Sequence, residues 1–232
     1  HEAPDPERIT GFNEFVDSFK LRLPSPARST DLQNLLQKVK GRTEERVVNT
    51  LLLRTMKKAR YSEIDPGHFC LGFPHYAHFT SPIRRYPDLI LHRLIKKYMK
   101  RKCPQKEKKA LLSKLAEVSE QSTHMEIKAM SIEREVTDLR RAQFMADKIG
   151  KTFHGIITGV TGFGFFVELQ EVFVEGLVKI SSISDDYYLF IETEHRLIGQ
   201  RRHRSFQIGD KVNVRVSAVD LGQKRIDLVV LS

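Results

Sequence analysis

The hydrophobic positions of the chain follow one period before residue 150 and another after it. Between residues 115 and 146, apolar and small side chains recur in alternating steps of three and four, the spacing of one helix face. A second helical pattern covers residues 43–62, where Thr43 is a candidate N-terminal cap and glutamates follow it. We therefore expect a helical first part, with the 115–146 face packed against a core.

After Gly150 the pattern changes to short alternating runs that are rich in β-branched and aromatic residues and separated by glycines. The last two runs flank a turn at residues 221–224, as in a β-hairpin. Roughly five short strands of this kind predict a small closed β-barrel of the OB type. The patterns thus indicate an α+β fold with two domains, a helical one over residues 1–149 and a barrel over residues 150–232.

The formal net charge of +10 is unevenly distributed along the chain. Residues 150–232 hold ten Lys or Arg and ten Asp or Glu, so the whole excess of basic residues lies in residues 1–149. A basic body is the expected electrostatic footprint of a protein that holds a polyanion. A soluble protein with a high isoelectric point and no particular partner accounts for the charge equally well.

Compartment and completeness are indicated by what the chain lacks. No apolar run approaches the ~20 residues needed to span a bilayer, so we expect no membrane partner. Cys70 and Cys103 have no CxxC spacing, which favours reduced thiols in the cytoplasm over a zinc site or a disulfide. The opening "HEAPDPERIT" has no signal-peptide pattern and lacks a methionine. These features predict a piece of a longer cytoplasmic protein.

The second part of the chain resembles an S1 RNA-binding domain, which is an OB-fold module. Four blocks carry the resemblance in the right order: "GVTGFGFFVEL", "EGLVKIS", "IGDKVNVRV" and "KRIDL". It implies that Phe163 and Phe166 lie on the binding face and stack nucleobases, with Lys179 as a phosphate contact. All three neighbouring phenylalanines could instead belong to the barrel core, and we expect Phe165 to be the core residue. Residues 185–206 are typical of the family's longer loop, whose "RRHR" cluster is either an RNA-backbone contact or simply solvated.

The stretch "HFTSPIRRYPDL" places two adjacent arginines between two prolines. The Ser-Pro pair at residue 81 is a favourable helix start, which predicts Arg84 and Arg85 in the first helical turn. There the backbone N–H groups and the helix dipole already favour an anion. Pro87 would then kink the helix or restart it. Residues spaced four apart would share one helix face, namely Arg84, Asp88 and His92.

The longer stretch "YAHFTSPIRRYPDLILHR" resembles the signature of the ribonuclease R / ribonuclease II (RNB) family of 3′-to-5′ exoribonucleases. The blocks "HEAPDPE", "RTMKKARYS", "GHFCLGF" and "SIEREVTDL" support it, so the resemblance covers essentially the whole chain. It implies that Arg84 stabilises the scissile phosphate and that Arg85 is a neighbouring phosphate or RNA contact. It places Glu133 at an acidic position near the end of the RNA path. Tyr76 lies beside the arginines, as an RNA contact or as plain packing.

Hydrolysis in this family, as the resemblance implies, uses two Mg²⁺ ions held by clustered aspartates. This chain has no such cluster, because the aspartates of its first part are scattered singly, such as Asp5, Asp17, Asp31, Asp65 and Asp88. We therefore expect the helical C-terminal part of an RNB catalytic domain, followed by a five-stranded OB-fold (S1) β-barrel. The metal ligands would belong to a missing N-terminal catalytic part.

Two functions remain open from the sequence. In the first, the chain is a fragment of a monomeric exoribonuclease that acts on single-stranded RNA, and the fragment alone binds RNA weakly without cutting it. In the second, it is a non-catalytic RNA-binding adaptor. The intact arginine block favours the enzyme, because an adaptor has no need of it.

Overall fold

A computed structural model describes residues 1–42 and 44–231, without the side chains of residues 18 and 193. The predicted Thr43 cap therefore lies outside the described residues. The helices of the described part are α1 (Pro6–Val16), α2 (Ser29–Val39), α3 (Glu45–Thr55), α4 (Tyr86–Tyr98) and α5 (Gln105–Ala146). No helix in these ranges is long and apolar enough to cross a membrane.

The long helical pattern is confirmed, since α5 runs without interruption over 42 residues. Pro104 precedes its first turn, and Gly150 follows its end with a φ of +85°, a left-handed conformation that glycine adopts at low cost. The expected core packing of its apolar face is wrong for this chain. Met125, Ile132 and Val136 are exposed, and only Ala142 and Met145 of the helix are buried. The face has the predicted period, but no described segment covers its middle.

Helix α4 begins at Tyr86 and not at Ser81 as predicted. Arg85 is its N-terminal flanking residue and has an extended backbone, with φ −122° and ψ 114°. Pro87 explains the difference. In a helix that began at Ser81, the ring of Pro87 would clash with the carbonyl four residues earlier. In the first turn of α4 it has no such clash and its missing N–H costs nothing.

Five strands form a closed barrel, as predicted, in the spatial order β1-β2-β3-β8-β7. Their bounds are β1 (Thr152–Thr161), β2 (Gly164–Leu169), β3 (Val174–Lys179), β7 (Lys211–Asp220) and β8 (Arg225–Val230). All neighbours pair antiparallel except β3 and β8, which are parallel. Alternate side chains fill the interior, among them Ile157, Phe165, Val167, Val178, Val214, Val216 and Leu228.

Residues 185–206 are not simply a loop, which corrects the expectation from the sequence. They contain most of a three-stranded antiparallel sheet in the order β4 (Tyr188–Ile191), β5 (Arg196–Gly199) and β6 (Ser205–Gln207). The Phe206 ring of this sheet stacks on the Phe165 ring of the barrel core, with 4.7 Å between ring centroids. Strands of three or four residues are too short to show a readable alternation, so the sequence pattern did not predict them.

The described chain divides into two compact units. The first, called the arginine unit below, consists of His1–Ile9, Leu23–Asn34 and Thr55–Ile132. The second, called the barrel unit, consists of Thr10–Arg22, Leu35–Arg54 and Glu133–Ser232. The barrel unit thus includes helical segments from early in the chain. A functional domain boundary at residues 149/150 stays a prediction.

Candidate nucleic-acid interface

The two arginines lie on a tight turn, here called the arginine loop (residues 81–85). The Ser81 carbonyl oxygen accepts the backbone N–H groups of Arg84 and Arg85 at 3.3 and 3.0 Å. The Asp88 side chain, from the first turn of α4, accepts the Ser81 N–H at 2.8 Å. Asp88 is 0% exposed. A buried carboxylate therefore fastens the start of the loop to the helix that follows it.

Arg85 contacts the same buried carboxylate. Its Nη2 and Nε lie 2.9 and 3.2 Å from Asp88 Oδ2. Burial raises the pKa of Asp88, but the Ser81 N–H and the Arg85 guanidinium outweigh it, so the net shift lowers this pKa. The predicted helix face that joined Arg84 to Asp88 is wrong, because Asp88 pairs with Arg85 instead. Arg85 thus has a structural contact that the sequence did not predict.

Arg84 has different surroundings. It is exposed and forms no ion pair within 4.0 Å among the residues the structure describes. Its neighbour Ile83 is fully exposed at the tip of the turn. Among the described residues, the loop thus presents one unpaired guanidinium to solvent and keeps the adjacent one in an ion pair with a buried carboxylate. An unpaired guanidinium on a fixed loop has the donors to bind a phosphate through two hydrogen bonds.

Behind the loop, an aromatic pair connects it to α5. The Tyr61 hydroxyl lies 3.1 Å from His78 Nδ1, and the Tyr61 N–H donates to the Thr123 hydroxyl at 2.9 Å. Burial, followed by the Glu126 carboxylate, raises the pKa of Tyr61 to about 12. Burial, followed by the Arg85 charge, lowers the pKa of His78. A neutral histidine here adds no positive charge beside the arginine loop.

His92, predicted on the Arg84 face, packs elsewhere. Its ring stacks on Phe79 with 4.4 Å between centroids, and its Nε2 lies 2.8 Å from the Phe79 carbonyl oxygen. This contact holds the segment before the arginine loop against α4.

Tyr76 lies in an aromatic cluster of the arginine unit. Its ring is edge-on to His68 at 4.6 Å and stacked on Phe73 at 6.4 Å, and its N–H donates to Asp65 at 3.4 Å. The side chain is nevertheless 41% exposed. The packing that the sequence left open for Tyr76 is present, and part of the ring remains accessible.

On the barrel, the three neighbouring phenylalanines differ in burial as we expected. Phe165 is buried in the core, Phe163 is 57% exposed and Phe166 is partly exposed. The Phe163 and Phe166 rings meet edge to face, 6.3 Å apart. Gly164, which lies between them in the sequence, has a φ of +153°, in the region that favours glycine. A Cβ there would lie 2.1 Å from the Val178 carbonyl oxygen.

Lys179 is the least available of the predicted barrel contacts. It lies opposite Gly164 in the β2–β3 register, close to Phe163 in the fold. Its Nζ, however, is 2.8 Å from the Asp227 carboxylate, which also pairs with Arg225 at 3.2 Å. An anion at this position would have to share Lys179 with Asp227.

One basic side chain beside the aromatic face was not predicted. A Cβ on Gly159 would meet Arg54 Nη2 at 3.3 Å and the Phe166 ring at 3.7 Å, so the Arg54 guanidinium lies near that ring. Arg46, eight residues before Arg54 in α3, pairs with Glu168 of β2 at 3.1 Å. No sequence signal indicates these contacts, because they join residues more than a hundred positions apart. Arg54 adds positive charge where the resemblance places nucleobases.

Glu133 is exposed on α5 and belongs to the barrel unit. The structure therefore places Tyr76, Arg84 and Arg85 in one compact unit, and Glu133, Phe163, Phe166 and Lys179 in the other. Within the described ranges, no group of three or more His, Cys, Asp or Glu side chains is placed to hold a metal ion. The donor set of the described residues thus does not fit a divalent-metal site.

Known protein families match both parts of the chain. A model described as RNB domain matches residues 1–101, and one described as S1 RNA binding domain matches residues 146–230. Ribonuclease R of Aquifex aeolicus is 44% identical over 229 residues, which cover 98% of this chain and 32% of that relative. The chain belongs to the ribonuclease R / ribonuclease II (RNB) family.

Solved structures of the RNB family agree with this assignment. Apo RNase R of Mycoplasma genitalium matches with a TM-score of 0.87 at 32% identity, over 100% of this chain and 37% of that chain. The same enzyme in complex with ribose methylated single-stranded RNA matches with a TM-score of 0.86 at 32% identity, over the same shares. The predicted fold class is confirmed. This RNB chain spans about a third of the length of the curated relatives it matches.

Proposed function

We propose that this RNB chain is the arginine- and S1-bearing part of a 3′-to-5′ exoribonuclease that hydrolyses single-stranded RNA. The observation that carries the proposal is the arginine loop, which exposes an unpaired Arg84 while a buried Asp88 fixes the loop. An RNA-binding adaptor needs positive charge but not one guanidinium held on such a fastened turn. "The longer enzyme" below means the RNB ribonuclease of which this chain would be a part.

The proposed role of Arg84 is electrostatic. When water attacks the scissile phosphate and the bond to the leaving oxygen breaks, charge on the non-bridging oxygens rises. A guanidinium that is already oriented stabilises this charge more than the charge of the ground state. Arg85 would act on the reaction through the loop, since its guanidinium is engaged with Asp88. Glu133 would lie near the RNA path, as the family resemblance implies.

The barrel would hold the RNA strand. Exposed aromatic rings stack on bases of any kind, at about 1–3 kcal/mol per base, which suits an enzyme that must accept every sequence. Phe163 and Phe166 supply two such rings on one face. Arg54 and, less freely, Lys179 supply charge for the phosphates beside them. RNase R from Mycoplasma genitalium, a structural neighbour, has been solved with single-stranded RNA.

Mg²⁺ would be the cofactor of the longer enzyme, held by carboxylates outside this chain. The described residues offer no such set, so this chain would supply the phosphate contact and the RNA clamp only. We place the longer enzyme in the cytoplasm, in keeping with two free cysteines, and expect it to act as a monomer.

A gel assay with this chain tests the proposal. A 5′-labelled single-stranded RNA is mixed with the chain in Mg²⁺ and, in parallel, in EDTA. We expect a retarded, uncut band in both, weakened when Phe163 is changed to Ala. Cleavage that requires Mg²⁺ would show that metal ligands exist within these 232 residues and would contradict the proposed division of roles.

The adaptor remains the second candidate, because no metal donor group is found within the described residues. The two candidates differ in the longer polypeptide. An enzyme releases nucleotides from the 3′ end of RNA when Mg²⁺ is present, whereas an adaptor retains the RNA intact under the same conditions.

A further inference from the structure

The hairpin between β5 and β6 is organised around one carboxylate. Asp186 accepts the backbone N–H groups of Tyr187 at 2.7 Å, Arg201 at 2.9 Å and Arg202 at 2.6 Å. The Gly199 N–H closes the hairpin on the Arg204 carbonyl oxygen at 2.8 Å. The N–H groups, chiefly that of Arg202, lower the pKa of Asp186. The carboxylate thus stabilises the backbone of the turn through these hydrogen bonds.

Gly199 leaves the space that this arrangement needs. A Cβ at that position would lie 2.6 Å from the Asp186 carboxylate oxygen, which is closer than any stable contact allows. A larger residue at this position would therefore have to displace the Asp186 carboxylate from its hydrogen bonds. A turn with a fitted glycine and a three-fold hydrogen-bonded acceptor is a fixed structure, and a fixed turn loses little conformational entropy when it binds a ligand.

The neighbouring acid is also engaged. Asp185 accepts from the Tyr188 hydroxyl at 3.0 Å and from Arg204 Nη1 at 3.2 Å. Arg201 and Arg202 are both exposed, and neither forms an ion pair within 4.0 Å in the described part of the chain. In the described part of the chain the two guanidiniums thus have no ion-pair partner, although the charge of Arg201 still acts on Asp186 and helps to lower its pKa.

An exposed aromatic ring adjoins these two charges. The N–H groups of Tyr187, Arg201 and Arg202 converge on one carboxylate, so the three side chains start from the same few ångströms of surface. Tyr187 is 67% exposed. The Gln200 N–H also donates to the Tyr187 carbonyl oxygen at 2.9 Å, which fixes this tyrosine to the hairpin.

From this juxtaposition we infer a second RNA contact on the barrel unit, formed by Tyr187, Arg201 and Arg202 and separate from the Phe163–Phe166 face. The two guanidiniums bind consecutive backbone phosphates of single-stranded RNA, and the tyrosine stacks on a base between them. An aromatic ring next to unpaired guanidiniums fits a single-stranded nucleic acid better than an acidic protein surface, because a base offers a flat stacking partner.

The small sheet connects the two sites within the barrel unit. Phe190 of β4 lies close to Gly162, since a Cβ on that glycine would be 3.9 Å from the Phe190 ring. Gly162 immediately precedes Phe163. A strand stacked on Phe163 can therefore continue toward the hairpin. The inference rests on the proposed RNA-binding function and extends the path of the strand.

A binding titration with the complete 232-residue chain tests the inference. Fluorescence anisotropy with a labelled single-stranded oligoribonucleotide gives the Kd at several salt concentrations. The test variant is Arg201→Gln with Arg202→Gln. The matched control is Lys211→Gln with Arg215→Gln, which removes the same charge from two exposed positions on β7. Phe163→Ala reports on the first site, and circular dichroism confirms that each variant is folded.

We expect the hairpin variant to bind roughly tenfold more weakly and the slope of log Kd against log salt to fall by about 1.4, the value for two lost single-strand phosphate contacts. The control should change neither quantity appreciably. If Phe163→Ala weakens binding while the hairpin variant behaves like the control, the second contact is wrong and the proposed function stands. If the unaltered chain does not bind RNA, both fail.

Discussion

At the scale of single residues, two adjacent arginines have opposite surroundings. Arg85 is held by a buried carboxylate, and Arg84 is exposed without an ion pair in the described part of the chain. The difference arises because α4 begins after Arg85, so Asp88 reaches back to the residue three positions before it. Asp88 is therefore a positioning residue, which acts through Arg85 and the loop and not on RNA directly.

Asp88→Asn should destabilise the chain by about 3 kcal/mol. The change leaves the partly buried Arg85 guanidinium without its charge partner, which costs more than the loss of an exposed pair. Denaturant unfolding measures the effect. Asp138→Asn is the matched control, because Asp138 forms an exposed pair with Arg141 at the same three-residue spacing. The control should stay within about 0.5 kcal/mol of the unaltered chain. Equal effects would show that Asp88 does not hold the arginine loop to α4.

The contribution of Asp88 should also depend on pH in a defined direction. Its pKa is lowered by folding, so its stabilising effect is complete above the unfolded-state value and is lost as the pH falls through the folded value. The difference in unfolding free energy between the unaltered chain and Asp88→Asn should therefore be constant near neutral pH and shrink below about pH 4. A difference that grows on acidification would contradict the assignment.

At the scale of elements, long regular patterns could be predicted from the sequence, whereas local departures from them and contacts between distant residues were harder to predict. The ten-position face of α5 and the β7–β8 hairpin could be predicted, because each repeats its pattern over several turns or residues. The start of α4 follows from Pro87, whose ring excludes a helix that begins at Ser81, so the Ser-Pro start signal alone does not locate it. The Lys179–Asp227 pair joins residues that are far apart in the sequence, and so does the approach of Arg54 to Gly159. A local sequence pattern does not encode such contacts.

The β2 strand makes a clear prediction about its aromatic residues. Phe165→Ala should lower the free energy of unfolding by roughly 3–5 kcal/mol, because it empties the space under Phe206. Phe163→Ala should leave stability nearly unchanged and weaken RNA binding by roughly fivefold to 150-fold, the equivalent of one lost stacking contact. Thermal unfolding and anisotropy titration separate the two effects. An RNA affinity unaffected by Phe163→Ala would remove this ring from the binding face.

At the scale of the whole molecule, the basic charge is unevenly distributed, whereas exposed aromatic rings occur in both parts of the chain. The excess of basic residues lies in residues 1–149, which also expose Tyr76, while residues 150–232 are balanced and carry the exposed Phe163 and Tyr187. A strand bound by both kinds of contact gains salt-sensitive affinity from phosphates and salt-insensitive affinity from stacking.

The affinity of the chain for single-stranded RNA should accordingly fall at least tenfold between 50 and 200 mM salt, as expected for about three or more phosphate contacts. A small residual affinity from stacking should persist at high salt and be weaker in the Phe163→Ala variant, which lacks one of the stacking rings. Anisotropy titrations across this range measure both components. An affinity independent of salt would mean that the basic excess does not contact RNA.

The most direct test compares Arg84→Gln with Arg85→Gln in the longer enzyme, with two readouts for each variant. The account predicts that Arg84→Gln keeps normal thermal stability and slows the release of 3′ nucleotides roughly 10²–10³-fold, the usual effect of removing one charge-stabilising donor. Arg85→Gln should lower stability, because it leaves the buried Asp88 carboxylate without its charge partner. If Arg84→Gln retains full activity, or if the two variants lose stability equally, the division of roles between the arginines is wrong.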